Sequence, residues 1–214
     1  MIDIKTQYAG LTLRNPLIVG SSGLTNNAER NKEFEKAGAG AIVLKSLFEE
    51  QIEMQSDILM QDSDYPEAAD YIRGYVKANQ INDYLELIQK TKELCTIPVI
   101  ASINCYKSDA WIEFARQIEL AGADALELNV CFLETDLTYI SENMRDLYVS
   151  IIRKVKETVS IPVMIKMSKM VGNIPAVAHT LTVNGADGIV LGDRVGGAEK
   201  EINRWRGVSG RGVG

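Results

Sequence analysis

Three times in this chain a glycine set among small residues leads straight into a short apolar run. The first copy is Ala37-Gly38-Ala39-Gly40-Ala41, running into Leu44-Lys45; the second is Ala121-Gly122-Ala123-Asp124-Ala125, running into Leu128-Asn129. The third, Asn184-Gly185-Ala186-Asp187-Gly188, runs into Leu191. Each reads as a helix C-terminus closed by glycine, a minimal turn, and a buried parallel strand. Parallel strands separated by helices are the recurring unit of a β/α barrel, in which polar residues at the carboxyl ends of the strands build the site.

A chain of 214 residues with 46% hydrophobic content can bury one sizeable core, and nothing in it requires a second. A net charge of −6 argues against a nucleic-acid binder, which needs a basic face. Cys95, Cys105 and Cys131 are scattered, with no paired spacing, so neither a disulfide framework nor a metal site is expected and a cytoplasmic location is. No window has the length and apolarity of a membrane span, and Met1 to Lys5 lacks a signal-like charge pattern.

Tyr8 to Asn15 alternates around Gly10 and predicts a short N-terminal hairpin. Six core strands follow, at 16–20, 41–44, 98–102, 124–129, 162–166 and 188–191; Ile-Pro-Val opens two of them, at Ile97 and Ile161. Asn26 with Glu29, and Ser46 with Glu49, have capping-box spacing and predict two helix starts. The polar stretch Met60 to Asn79 reads as a long loop over the mouth. The expected fold is α/β, an incomplete (β/α)8 barrel over residues 1–191. Residues 192–214, which hold seven of the 17 glycines, read as a Gly/Arg-rich tail. Two open parallel edges predict either poor stability or pairing with another chain, such as a second copy of this one.

Ser21-Ser22-Gly23 directly follows the first core strand. It reads either as a close approach to a flat ligand or as an ordinary turn. Lys45 and Lys166 each end an apolar strand, where an ammonium must reach the mouth or be buried at cost. Together they favour an anionic small molecule; separately each is a strand end meeting solvent. Asn104 and Asn129 also stand at strand ends, and an amide that both donates and accepts suits a heterocycle edge or loop backbone alike. Cys131 is the cysteine placed to face the mouth, while Cys95 and Cys105 read as structural. Trp111, Phe114, Ala115 and Ile118 form a core stripe, and His179, the one histidine, lies within a helix remote from the strand ends.

In order and spacing, Asn15-Pro16 through Ser21-Ser22-Gly23, Leu44-Lys45-Ser46, Glu127-Leu128-Asn129 and Val163 to Lys166 resemble the dihydroorotate dehydrogenase family. The bacterial dihydroorotate dehydrogenase-like branch also shares Tyr65-Pro66-Glu67-Ala68. The resemblance implies an FMN-dependent oxidoreductase of pyrimidine metabolism that oxidises the CH–CH bond of a dihydropyrimidine. It also implies that Ser21, Ser22, Gly23, Lys45, Ser46, Asn104, Asn129 and Lys166 hold the flavin or substrate, with Lys166 and Cys131 catalytic.

The chain departs from the family pattern in three places. Phe132 stands where the family has its Cys or Ser base, with Cys131 one residue early. The segment from Tyr65 to Tyr75 replaces an Asn-rich substrate loop. Asp193 stands near an expected Asn, and the last two strands with their phosphate-binding loops are missing, which predicts a C-terminally truncated barrel with weak FMN binding. The competing readings are a non-catalytic barrel fragment and a non-flavin β/α barrel enzyme acting on a phosphorylated metabolite.

Overall fold

The computed structural model describes residues 3–61, 69–105, 108–130, 141–167 and 173–191. An antiparallel hairpin, β1 (Thr6–Tyr8) and β2 (Leu11–Leu13), comes first. It turns at Ala9-Gly10, both with positive φ (47° and 79°), a geometry whose twist matches that of the paired strands. Then follow β3 (Ile18–Val19), the short 3-10 turn η1 (Gly23–Thr25), α1 (Ala28–Lys36), β4 (Ala41–Val43), β5 (Leu47–Phe48), α2 (Glu49–Gln61) and α3 (Ala69–Leu94). The second half runs β6 (Val99–Asn104), α4 (Ser108–Leu120), β7 (Ala125–Val130), α5 (Ser141–Lys156), β8 (Val163–Met167), α6 (Ile174–Val183) and β9 (Gly188–Leu191).

The main sheet is parallel and sequential, β3-β4-β6-β7-β8-β9, with β5 pairing to β6 beyond the end of β4. It curls into an open half-barrel of six strands, as the repeats predict, and among the described residues β3 and β9 are its unclosed edges. All three repeats end their helices alike. Gly38, Gly122 and Gly185 take positive φ (110°, 93° and 109°), and the next N–H bonds five residues back, Ala39 to Phe34, Ala123 to Ile118 and Ala186 to Leu181.

Helices α1 to α6 cover the convex face. Its core includes Ile42, Leu44, Ile88, Ile103, Trp111, Phe114, Ala115, Ile118, Leu126, Leu128, Tyr148 and Ile165. Cys95 and Cys105 are buried free thiols within that core, and burial first, then the charge of Glu49, pushes the Cys105 thiol far above its ordinary range. A smaller cluster, Leu13, Ala41, Val43, Ile100, Ala125 and Met164, fills the concave side at the amino ends of the strands, where the hairpin plugs it. Among the described residues no helix is long and apolar enough to cross a membrane.

Three sequence expectations are corrected. The N-cap of α1 is Asn27, whose side chain accepts the Arg30 N–H, while Asn26 closes η1. Ser46 caps no helix, because β5 intervenes before α2. Residues 69–79 are not loop but the first part of the 26-residue α3. That part carries charges at Asp70, Arg73 and Lys77 among its apolar residues, and the apolar spacing becomes regular only from Ile81 through Tyr84 and Ile88.

Candidate active site at the carboxyl ends of the strands

The period of two along each strand decides what faces the concavity. In β6, Val99, Ala101 and Ile103 belong to the helix-covered core and Ile100 to the inner cluster, so Ser102 and Asn104 continue the inner row. In β7, Leu126, Leu128 and Val130 face the helices, leaving Glu127 and Asn129 inward above Ala125. In β8, Lys166 follows Met164 on the same side. Asn129 lies directly opposite Lys166 across the β7–β8 pair, and Ser102 opposite Glu127 across β6–β7. Apolar side chains thus fill the amino end of the concavity and polar ones the carboxyl end.

The wall beside β6 is interrupted. Val43 pairs with Ile100 and Leu47 with Ile103, so four steps along one chain match three along the other. One extra residue is accommodated at Lys45-Ser46, a β-bulge, the device that re-aims side chains next to sites. It withdraws the partner that the backbone of Ser102 would otherwise have. The Tyr84 hydroxyl from α3 takes that place, accepting the Ser102 N–H at 2.8 Å and donating to the Ser102 carbonyl at 2.9 Å. Burial, and then the charge of Glu127, raise the Tyr84 phenol well above its ordinary value against the opposing bond to Ser102.

The bulge also joins elements. Ser46 N–H donates to Ser21 Oγ at 2.9 Å; the Ser21 and Ser46 hydroxyls lie 3.0 Å apart, and those of Ser46 and Ser102 2.7 Å apart. Ser102 Oγ donates to Glu127 Oε1 at 3.1 Å. Ser46, Ser102 and Glu127 are buried, and Ser21 is half-buried. Burial, with the Glu127 charge second, also raises the pKa of Tyr8, which reaches the inner cluster from the hairpin.

Of the residues named from sequence, Ser21 and Ser46 touch directly, and Asn129 and Lys166 stand side by side. Ser22 and Gly23 form the η1 turn, where Ser22 Oγ accepts the Leu24 N–H and its own N–H goes to Thr25 Oγ1; open space surrounds the position a Gly23 Cβ would take. Asn104 ends β6 opposite Phe48 of β5. Lys45 lines a cavity of about 550 Å³ between the end of η1, α2 and α3, together with Asn26, Gln51, Tyr75, Gln80 and Asp83. Lys166 is not among the residues lining that cavity. Cys131, Phe132, Tyr65 to Ala68, Asp193 and the tail lie outside the described residues. His179 is exposed on α6. Sequence reasoning missed Ser102, Glu127 and Tyr84. For the first two a signal existed, a lone polar residue inside an apolar strand.

A curled parallel sheet with polar side chains gathered at its carboxyl ends defines a partial β/α barrel with its site where that fold places sites. Several of its sequence relatives carry one name. The chain is 30% identical over 194 residues to the dihydroorotate dehydrogenase B (NAD(+)) catalytic subunit of Thermoplasma volcanium, covering 89% of this chain and 62% of that protein. The proteins of the same name from Thermoplasma acidophilum and Methanocaldococcus jannaschii are 28% and 26% identical, each over 98% of this chain and 71% of their own length. The chain is similar to these dihydroorotate dehydrogenases, as its motifs suggest, and spans about two thirds of their length. No protein-family model matches it. Among solved structures, phosphonopyruvate hydrolase complexed with oxalate and Mg++ superposes with a TM-score of 0.54 at 17% identity, over 93% of this chain and 65% of that one. Dihydrodipicolinate synthase from Agrobacterium tumefaciens reaches 0.50 at 12%, over 81% of this chain and 52% of that one. These likenesses concern the fold alone.

Proposed function

We propose that this chain is an FMN-dependent oxidoreductase acting on the CH–CH bond of a dihydropyrimidine-like small molecule in pyrimidine metabolism. The observation that carries the reading is the pairing of Lys166 on β8 with Asn129 on β7 on the concave face, next to Glu127 on the same β7 and Ser102 on the neighbouring β6, in a chain similar to dihydroorotate dehydrogenases. The donor set suits a flavin. An isoalloxazine presents acceptors and N–H donors along one polar edge, and here an ammonium, a carboxamide and a serine hydroxyl supply both kinds of partner at strand ends. The open space at Gly20 and Gly23 leaves room for a flat ring beside β3.

Bound FMN would supply the two-electron acceptor. Lys166 then sets a fixed positive charge against the polar edge of the ring, favouring negative charge there. Asn129 orients that edge by donating and accepting at once. Ser21, Ser22, Gly23, Lys45, Ser46 and Asn104 would help hold the ring, and Cys131 would be the candidate proton acceptor.

FMN titration of the purified chain, followed by its visible absorbance and fluorescence, tests the reading. Saturable binding is expected, with the dissociation constant raised roughly tenfold by Lys166→Met, as for loss of one charged hydrogen bond. Absence of saturable binding would overturn it.

A further inference from the structure

The line Ser21–Ser46–Ser102–Glu127 has a direction. Each hydroxyl owns one proton, and an ionised carboxylate only accepts. Ser102 spends its proton on Glu127 Oε1, so in the 2.7 Å contact between Ser46 and Ser102 the proton comes from Ser46. Ser46, having given its proton away, must accept from Ser21 across 3.0 Å. Ser21 Oγ meanwhile accepts the Ser46 N–H. The half-buried end of the line therefore has its proton committed inward and one lone pair left over. Ser46 is 7% exposed, Ser102 0% and Glu127 4%, so water has little access to reverse the order.

We propose that Glu127 is a positioning residue which, through Ser102 and Ser46, fixes Ser21 as a hydrogen-bond acceptor toward the bound ring. The inference rests on the FMN reading above and goes beyond it by assigning the site a preference between two forms of the ligand. Reduced FMN carries an N–H on its central ring that oxidised FMN lacks, so an obligate acceptor favours the reduced form. The line thereby raises the reduction potential of bound FMN. Bare electrostatics argues the other way, because a buried negative charge near the ring opposes reduction. Ser46→Ala, which breaks the line but leaves the Ser102–Glu127 bond in place, therefore separates the two.

The test compares the dissociation constants of oxidised and reduced FMN, and the midpoint potential of the FMN-loaded protein, in the wild type and in Ser102→Ala. That variant cuts the line and leaves the Glu127 carboxylate in place. The ratio of oxidised to reduced dissociation constants should fall roughly three- to tenfold, the range of one neutral hydrogen bond, and the potential should move negative. Ser46→Ala, cut nearer the exposed end, should move both readouts the same way and serves if Ser102→Ala does not fold. Tyr84→Phe disturbs only the backbone of Ser102 and should lower stability while leaving the ratio unchanged. An unchanged or increased ratio in FMN-loaded Ser102→Ala and Ser46→Ala would overturn this inference alone. A wild-type chain that binds no FMN would overturn it together with the proposed function.

Discussion

The units that close on β7 and β9 are built to one plan, whereas the unit that closes on β4 and β5 is not. In the first two, an Asp after the glycine cap reaches back to the preceding strand. Asp124 Oδ2 accepts the Val99 N–H and Asp187 Oδ2 the Val163 N–H, each at 2.7 Å, while their own N–H groups bond the carbonyls of the same valines. Lys92 and Lys156 pair with these carboxylates at 2.7 and 2.8 Å. In the β3–β4 unit the Asp is replaced by Gly40, and Asn15 does the bonding from the other side, donating to the Gly38 carbonyl and accepting the Leu17 N–H. Farther along the same unit the strand bulges at Lys45-Ser46. The irregular unit supplies Ser21 and Ser46, and the regular units supply Ser102, Glu127, Asn129 and Lys166.

The largest expected effect is at the substitution that sets the units apart. A Cβ on Gly40 would stand 2.3 Å from the Asn15 carbonyl oxygen, so Gly40→Ala should cost about 3 kcal/mol or more in chemical denaturation. A loss below about 1 kcal/mol would show that the Asn15 closure gives way easily. Tyr84→Phe comes next. Leaving the buried N–H and carbonyl of Ser102 unpaired should cost roughly 2–3 kcal/mol, and a neutral outcome would mean the bulge does not depend on its tyrosine.

Asp124→Ala and Asp187→Ala should each cost about 1–2 kcal/mol, with the two values close together. A clear inequality would break the equivalence of the regular units. The smallest effect is in acid. Glu35 on α1 accepts from Thr96 N–H and Oγ just before β6 and pairs with Lys32. Burial works to raise its pKa, but the bonds from Lys32 and Thr96 outweigh that and lower it from 4.5 to about 2. With the folded value below the unfolded one, this stabilisation is complete above about pH 5 and is lost as the pH falls toward 2. The gap in melting temperature between the wild type and Glu35→Gln should therefore narrow from pH 6 to pH 3.

The same contrast separates what is legible in the residues from what is not. The glycine-capped repeats and the Ile-Pro-Val starts are local signals with a fixed period, so strand order and the open half-barrel can be read directly. Ser21, Asn129 and Lys166 are legible because a polar residue ending an apolar run stands out against the residues before it. The bulge is not, since it is a mismatch of register between Val43–Leu47 and Ile100–Ile103, visible only when both strands are paired. For the same reason Ser46, with Glu49 three residues on, resembles a helix cap while in fact linking Ser21 to Ser102. Tyr84 sits on a regular helix face among Ile81 and Ile88, where nothing local distinguishes a wedge from a core residue.

Amide hydrogen exchange with and without FMN addresses the central claim, that the carboxyl ends of the strands on the concave face form the binding site. Protection is expected at residues 19–25, 44–48, 102–105, 128–130 and 165–167, with no change in the hairpin at 6–13, which plugs the opposite end. Protection confined to the hairpin, or to the cavity-lining stretches of α2 and α3 without the strand ends, would contradict the account.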